Sequence, residues 1–215
     1  MADVVLYDYW RSSASYRLRI ALNLAGIAYE SRSVDLVAGA QRNPEHLARN
    51  PQGFVPVLEI DGERFTQSLA CLTYLDSTRG LGLLPQEPVA RAHVEALAQS
   101  IAVDLHPVCN LSVARFGVTS SGGSLQMGDW MRQFIGPGLE AFDRLLARWP
   151  EPGEGSFCTG ARPGLADICL MPQLYNARRW EVDLNPFPRL QRIEASCAAH
   201  PAFAAAHPDH HQPAQ

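Results

Sequence analysis

Lysine is absent from this chain of 215 residues, so all 18 basic side chains are arginines. A Walker-type phosphate loop, a lysine Schiff base and a lysine general base all need the missing ammonium group and are excluded. Any anionic substrate must therefore be held by guanidinium groups, by backbone N–H groups or by the positive ends of helices.

Basic patches and long apolar runs are also missing. The net charge is −4 with a pI near 6.0, and no basic run is present that could face a phosphate backbone. No apolar stretch has the length of a membrane span, and the first residues lack the basic and apolar segments of a signal peptide. We therefore expect a cytoplasmic protein with no nucleic-acid partner and no membrane attachment.

Paired cysteines are absent as well. The five cysteines are scattered without a C-x-x-C motif, a pattern typical of reduced thiols in the cytoplasm. Histidines cluster only near the end, at His207, His210 and His211, with no further ligand nearby in sequence. We expect neither a disulfide framework nor a metal site.

A serine-rich junction is the most informative feature that is present. Residues 4–9 predict a buried strand, and residues 15–25 carry apolar side chains at helical spacing. Ser12, Ser13 and Ser15 between them can each cap the new helix. The alternative is that a hydroxyl group, free backbone N–H groups and the positive helix end together stabilise an anion such as a thiolate.

The rest of the first half alternates between strands and helices. Strands are predicted at residues 29–36, 57–60 and 64–66, and the last two are joined by a tight Asp61-Gly62 turn. Helices are predicted at residues 46–49 and 69–78, with Ser68 as the cap of the second. This order indicates a small α/β domain.

Pro56 lies immediately before a predicted strand, where a proline cannot donate a ladder hydrogen bond. It is either a plain edge proline or a cis proline that forms a turn. A cis bond would leave the backbone of Val55 to pair with an extended peptide. The residues alone leave both alternatives open.

A Gly/Pro-rich linker at residues 80–88 separates this domain from a second one. Beyond it, apolar residues at spacings of three and four predict helices at 89–108, 129–149, 165–180 and 188–199. A flexible surface loop is expected at 119–124, and the chain from Pro208 onward is expected to be disordered or to lie over the surface. The predicted domains are residues 1–83 and 89–215.

Several motifs in this order resemble the cytosolic glutathione transferases of the zeta class, which includes maleylacetoacetate and maleylpyruvate isomerases. The motifs are YWRSSASYRLRIAL, NPQGFVPVLEIDG, QSLA, LLPQ, HPVCNLSV and LADICLMPQLYNARRWEVDLNPFP. The resemblance covers nearly the whole chain. It implies a thioredoxin-like α/β domain followed by an all-α domain, with glutathione as the cofactor and a homodimer as the assembly.

The resemblance also implies which residues bind glutathione. The cysteinyl backbone pairs with Val55 before a cis Pro56, Gln67 and Ser68 hold the γ-glutamyl end, and Gln41 reaches the glycyl end. Four positions of the helical domain also match residues that approach glutathione: His106, Asn110, Leu111 and Ser112.

The same resemblance assigns thiolate stabilisation to Ser12 or Ser13, with Ser12 preferred. The family often has cysteine where this chain has Ala14, so the sulfur must come from glutathione itself. Arg11, Arg115 and Arg179 are the candidates for binding substrate carboxylates, with Arg11 and Arg179 also in catalytic roles. Arg17, on the first helix, is interpreted as structural.

The implied function is glutathione-dependent cis–trans isomerisation of maleylacetoacetate in aromatic amino-acid breakdown. The alternatives are a maleylpyruvate isomerase of gentisate breakdown, a transferase or dehalogenase acting on α-haloacids, and a non-catalytic binding protein of the same fold.

Overall fold

The computed structural model describes residues 3–150 and 156–213 and divides the chain into two compact units. The first comprises Met1–Gly82 together with His200–Gln215, and the second is Leu83–Ala199. This division falls one residue before the predicted end of the first domain at residue 83, and it groups residues 200–215 with the first unit, whereas the predicted second domain is 89–215.

The first unit contains a four-stranded mixed sheet in the order β2-β1-β3-β4. Its strands are β1 (Val5–Asp8), β2 (Glu30–Ser33), β3 (Val57–Ile60) and β4 (Glu63–Thr66). β1 is parallel to β2 and antiparallel to β3, and β3 and β4 form the predicted hairpin. β1 is buried along its whole length, as expected for a central apolar strand.

Helices α1 (Ser13–Leu24) and α3 (Ser68–Arg79) pack against each other, and the short α2 (Pro44–Arg49) follows a 3₁₀ turn at Ala40–Arg42. The predicted start of α3 was wrong by one residue. Ser68 is the first helical residue, and Gln67 occupies the cap position without a capping hydrogen bond from its side chain.

The C-terminal segment docks on α1 through a further helix, α10 (Pro201–Ala205), and ends in a 3₁₀ turn at Pro208–His210. Asn23 Nδ2 donates to the carbonyl of Ala202 at 3.0 Å, and Arg19 Nε donates to the carbonyl of Ala206 at 3.1 Å. No local sequence pattern predicts these contacts, because the partners lie 179 and 187 positions apart.

The second unit is helical in the residues described. Its helices are α4 (Pro88–Gln99), α5 (His106–Val108), α6 (Leu111–Ser120), α7 (Met127–Leu146), α8 (Leu165–Arg179) and α9 (Pro188–Ala199). A π-helical stretch, Ser100–Leu105, joins α4 to α5, so the predicted helix at 89–108 is continuous in outline. Within the described residues no helix has the length and apolarity to cross a membrane, and no side-chain cluster has the composition of a metal site.

Helix α6 was missed by the periodicity argument, and the predicted loop at 119–124 was partly wrong because Thr119 and Ser120 are helical. The local cause is Asn110, whose side-chain oxygen accepts from the Ser112 N–H at 3.1 Å and starts the helix. Only residues beyond Ser120 form the turn.

Asp167 fixes the start of α8. Its carboxylate, fully buried, accepts from the backbone N–H groups of Cys158 and Gly164 at 2.8 and 2.9 Å. Burial raises the pKa of this carboxyl group, and the two backbone hydrogen bonds oppose the increase. A glycine at the cap position is tolerated because Asp167 provides the hydrogen bonds across the helix start.

Candidate active site

Ser12 lies at the N-terminal end of α1 and is half-buried. Its Oγ accepts from the Ser15 N–H at 3.2 Å, and its own N–H donates to the Tyr9 carbonyl at 2.8 Å. A hydroxyl group has one hydrogen and two lone pairs, so capping uses a lone pair and leaves the hydrogen to donate. The two interpretations of the serine junction are therefore compatible in one residue.

The turn that leads into α1 is held by Arg19, which is fully buried. Its guanidinium donates to Asp8 Oδ2 at 2.8 Å and to the Trp10 carbonyl at 2.8 Å. Asp8 also accepts from the Ser31 hydroxyl at 3.0 Å, so the carboxylate has partners on both oxygens. Because Trp10 is two residues before Ser12, Arg19 fixes the backbone from which the candidate hydroxyl projects.

Arg11 lies between this braced turn and Ser12. Its guanidinium stands 4.5 Å from the centroid of the Trp10 ring and donates to the Tyr9 hydroxyl at 3.1 Å. Stacking on aromatic rings orients a guanidinium without neutralising its charge. The cation is thus placed beside the serine junction and remains half-exposed.

The start of α3 is built differently. Gln67 has φ 68° and ψ 110°, which is a strained backbone conformation for a residue with a side chain. Ser68 follows it and is buried, and its Oγ accepts from Arg17 Nη1 at 3.0 Å. The Ser68 hydroxyl therefore contacts an arginine of α1 and not a backbone N–H group of its own helix.

The peptide bond between Val55 and Pro56 is cis, which decides the alternative that the sequence left open. The residue before Val55 is held by two buried side chains of the preceding segment. His46 Nε2 and Asn50 Nδ2 lie 2.9 and 3.0 Å from the Phe54 carbonyl. Val55 itself packs against the apolar cluster on the sheet.

A row of polar side chains connects this loop with the start of α3. Gln67 Nε2 donates to Gln52 Oε1 at 2.8 Å, and Arg42 Nη1 donates to the Gln52 carbonyl at 3.3 Å. The neighbouring Gln41 has a buried side-chain oxygen that finds no hydrogen-bond partner among the described residues. Hydrogen bonds thus connect Gln67 through Gln52 with Arg42, the chain neighbour of Gln41, and Ser68 follows Gln67 directly in the chain.

The second unit contains the other predicted residues near the junction of α5 and α6. His106 begins α5, Asn110 caps α6, and Leu111 is the first residue of α6. The Ser112 hydroxyl donates to Asn110 Oδ1 at 3.0 Å, so these two polar side chains are already paired with each other.

The two arginines predicted in the helical unit are both exposed. Arg115 lies on α6, and Arg179 is the last residue of α8, with its guanidinium 4.7 Å from the centroid of the Trp180 ring. Arg179 is therefore oriented by an aromatic ring, as Arg11 is in the first unit.

Comparisons with known proteins show the family of this chain. Residues 2–77 match the family model of the glutathione S-transferase N-terminal domain, and residues 121–205 match that of the C-terminal domain. A maleylacetoacetate isomerase of Rhizobium meliloti (strain 1021) is 58% identical over 213 residues, covering 98% of this chain and 99% of the relative. A bacterial maleylpyruvate isomerase, described as a zeta-class glutathione S-transferase, superposes with a TM-score of 0.90 at 36% identity, covering 97% of this chain and 98% of the other. The chain belongs to the zeta class of the glutathione S-transferases.

A second solved structure similar to this chain contains bound ligands. The maleylacetoacetate isomerase of Methylobacterium extorquens AM1, solved with bound malonate and glutathione, has a TM-score of 0.88 and 41% identity. The superposition covers 97% of this chain and 98% of the chain of that isomerase.

Four cysteines of this zeta-class chain have a shifted pKa, and in each of them the shift is upward, away from an activated thiolate. All five cysteines are free and buried. Burial raises the pKa of Cys71 to about 12 and that of Cys109 to about 11, and it also raises the pKa of Cys158 and Cys197. The raised pKa values disfavour a thiolate on these four side chains.

Sequence reasoning missed several residues that shape this site. His46 and Asn50 hold the Phe54 carbonyl, Gln52 contacts Gln67, and Arg17, interpreted as structural, contacts Ser68. Asn50 and Gln52 lie within the NPQGF motif, which was a usable signal. The contact between Arg17 and Ser68 spans 51 positions and had no local signal.

Proposed function

We propose that this protein is a glutathione-dependent cis–trans isomerase that converts maleylacetoacetate to fumarylacetoacetate. The observation that carries the proposal is the start of α1, where the Ser12 hydroxyl can donate to an anion at a positive helix end. The 58% identity to a maleylacetoacetate isomerase supports this substrate.

Glutathione binds along the first unit in this proposal. The backbone of Val55 pairs with the cysteinyl residue, Gln67 and Ser68 hold the γ-glutamyl carboxylate, and Gln41 reaches the glycyl end. In the helical unit, the positions that the family resemblance assigns to glutathione are His106, Asn110, Leu111 and Ser112. The connected hydrogen bonds from Gln52 through Gln67 support the first part of this assignment.

Ser12 stabilises the thiolate of bound glutathione, and Ser13 is the alternative hydroxyl. A free thiol has a pKa of about 8.5, and lowering it by one to two units requires roughly 1.4 to 2.7 kcal/mol. A hydroxyl donor to a charged acceptor contributes about 1.5 to 3 kcal/mol, and the helix end adds to it. The site is therefore able to supply thiolate at neutral pH.

The thiolate adds to the conjugated double bond of the cis-enedione, forming a C–S bond and an enolate. The former double bond is now single and rotates. Collapse of the enolate breaks the C–S bond, returns the thiolate and leaves the trans product, so no net oxidation or proton uptake occurs. Arg11, Arg179 and Arg115 bind the substrate carboxylates, and Arg11 and Arg179 stabilise the enolate.

Maleylpyruvate is the second candidate substrate because the chain superposes closely on a maleylpyruvate isomerase. The chemistry is the same on a shorter enedione. We further propose a homodimer located in the cytoplasm, a reducing compartment that suits five free buried cysteines.

The test is turnover of purified protein with maleylacetoacetate, followed by loss of the cis-enedione absorbance. We expect isomerisation with glutathione, none without it, and none with S-methylglutathione, which binds but has no thiol. Parallel assays with maleylpyruvate and with an α-haloacid, the latter by halide release, assign the substrate. Glutathione binding without turnover of any of these substrates would leave a non-catalytic binding protein and contradict the proposal.

A further inference from the structure

Arg17 is a large charged side chain that is almost completely buried, with 2% of its surface exposed. Burying a guanidinium is costly, so such a residue is expected to have a specific role. Its Nη1 donates to the Ser68 hydroxyl at 3.0 Å, connecting the middle of α1 with the first residue of α3.

The direction of this hydrogen bond determines what Ser68 can do next. The guanidinium is always a donor, so the Ser68 oxygen accepts and its own hydrogen is directed to another acceptor. The sequence predicted that Ser68 caps α3. In the structure Ser68 is the first residue of α3 and makes no capping hydrogen bond. The hydroxyl is thus a polarised donor at the positive end of a 12-residue helix.

We infer that Arg17 is a positioning residue for the γ-glutamyl carboxylate of glutathione and acts through Ser68. This inference rests on the proposed function, in which Gln67 and Ser68 hold that carboxylate. Arg17 fixes the Ser68 hydroxyl as a donor and places a permanent positive charge behind it. A carboxylate at this point gains the helix end and a hydrogen bond from Ser68 that the buried cation behind it strengthens.

Comparing glutathione with a thiol that lacks the γ-glutamyl carboxylate distinguishes this role from a general structural one. Cysteinylglycine keeps the thiol and the glycyl end of glutathione but has no γ-glutamyl group. We expect Arg17→Met to weaken binding of glutathione about tenfold by calorimetry and to raise KM similarly, with kcat within about twofold. Binding of cysteinylglycine should be the same in Arg17→Met and the wild type.

A double-mutant cycle tests whether Arg17 acts through Ser68. Once Ser68→Ala has removed the hydroxyl, adding Arg17→Met should weaken glutathione binding by less than about twofold further. Arg17→Lys keeps the charge and should recover part of the affinity. Arg32→Met is the matched control, because it removes an arginine of the same unit that pairs with Glu30 and Tyr7.

The outcomes are distinguishable. Equal losses for glutathione and cysteinylglycine, or fully additive losses in the cycle, would overturn the role of Arg17. If Arg17→Met does not fold, Arg17→Lys and Ser68→Ala provide the same comparison of the two thiols. Wild-type protein that binds glutathione but isomerises nothing contradicts the proposed function alone, since the inference about Arg17 is decided by binding. Wild-type protein that binds no glutathione overturns both.

Discussion

The starts of α1 and α3 both carry a serine, but the two hydroxyl groups accept hydrogen bonds from different kinds of partner. At α1, Ser12 stands in the cap position with an ordinary extended backbone and accepts from Ser15 three residues on. At α3, the cap position has the strained Gln67, and Ser68 accepts from Arg17 instead. The difference teaches that a local motif sets both the position and the partner of the Ser12 hydroxyl, whereas a tertiary contact sets the partner of Ser68.

Two arginines of one helix support these two starts. Arg19 holds the turn before α1 through the Trp10 carbonyl and Asp8, and Arg17 holds the first residue of α3. Side chains of α1 therefore hold both the turn that carries Ser12, proposed to bind the thiolate, and Ser68, proposed to bind the γ-glutamyl end.

Among changes at the two helix starts, the largest effect is expected from breaking the Arg19–Asp8 pair before α1. Asp8→Asn leaves the buried Arg19 charge without its carboxylate and should lower the free energy of unfolding by about 3 to 5 kcal/mol. Chemical denaturation measures it. The control is Arg144→Met at the exposed pair with Glu140, which should change stability by less than about 1 kcal/mol. Similar effects at both pairs would show that Asp8 does not brace the α1 start.

The next effect is on catalysis at the α1 start. Ser12→Ala removes the hydroxyl proposed to donate to the thiolate, and kcat should fall by roughly 10- to 100-fold, since a hydrogen bond to a charged group is lost. The pKa of bound glutathione, followed by thiolate absorbance in the ultraviolet, should rise in parallel.

The matched control is Ser13→Ala, one position along the same helix start. We expect it to change kcat by less than about fivefold, because Ser12 is the preferred donor. A larger loss in Ser13→Ala than in Ser12→Ala would reverse the assignment of the two serines.

A smaller effect is expected at the strained residue before α3. Gln67→Gly accepts the positive φ without strain, whereas Gln67→Ala keeps the strain, so the glycine variant should be more stable by about 1 kcal/mol. Both variants lose the side chain and should bind glutathione equally weakly by calorimetry. Equal thermal stability of the two variants would mean that the backbone at Gln67 stores no strain.

The smallest effect is expected at Ala14, where relatives often have cysteine. Ala14 is buried in the first turn of α1, and glutathione provides the reacting sulfur, so Ala14→Cys should change kcat by less than about twofold. Steady-state kinetics measure this. A tenfold gain would show that the α1 start works best with a thiol of its own and that alanine limits this chain.

Much of the fold was readable from local patterns. The strand at β1, the Ser12 cap, the Asp61-Gly62 hairpin and the long helices follow from alternation, capping chemistry and helical spacing, which depend on near neighbours. Helix α6 escaped because its start depends on one Asn110 side chain and its apolar residues are largely exposed.

The candidate site, like the fold, could be predicted from the sequence only in part. The sequence motifs identified Ser12, Gln67 and Ser68 as candidates. The cis bond before Pro56 is the one that the resemblance implied. The actual partner of Ser68, the brace on Trp10 and the docking of the C-terminal segment on α1 did not follow from any motif.

By itself, the sequence determined that this protein has no lysine chemistry, that its first strand runs into a serine-capped helix, and that its family is the zeta class. Those properties depend on residue types and short spacings. Only the tertiary structure decided what Ser68 and Arg19 contact, because the partner of Ser68 lies 51 positions away and the Ala206 carbonyl that accepts from Arg19 lies 187 positions away. Packing α1 against α3 and the C-terminal segment brings these groups within hydrogen-bond distance, and no local pattern encodes that distance.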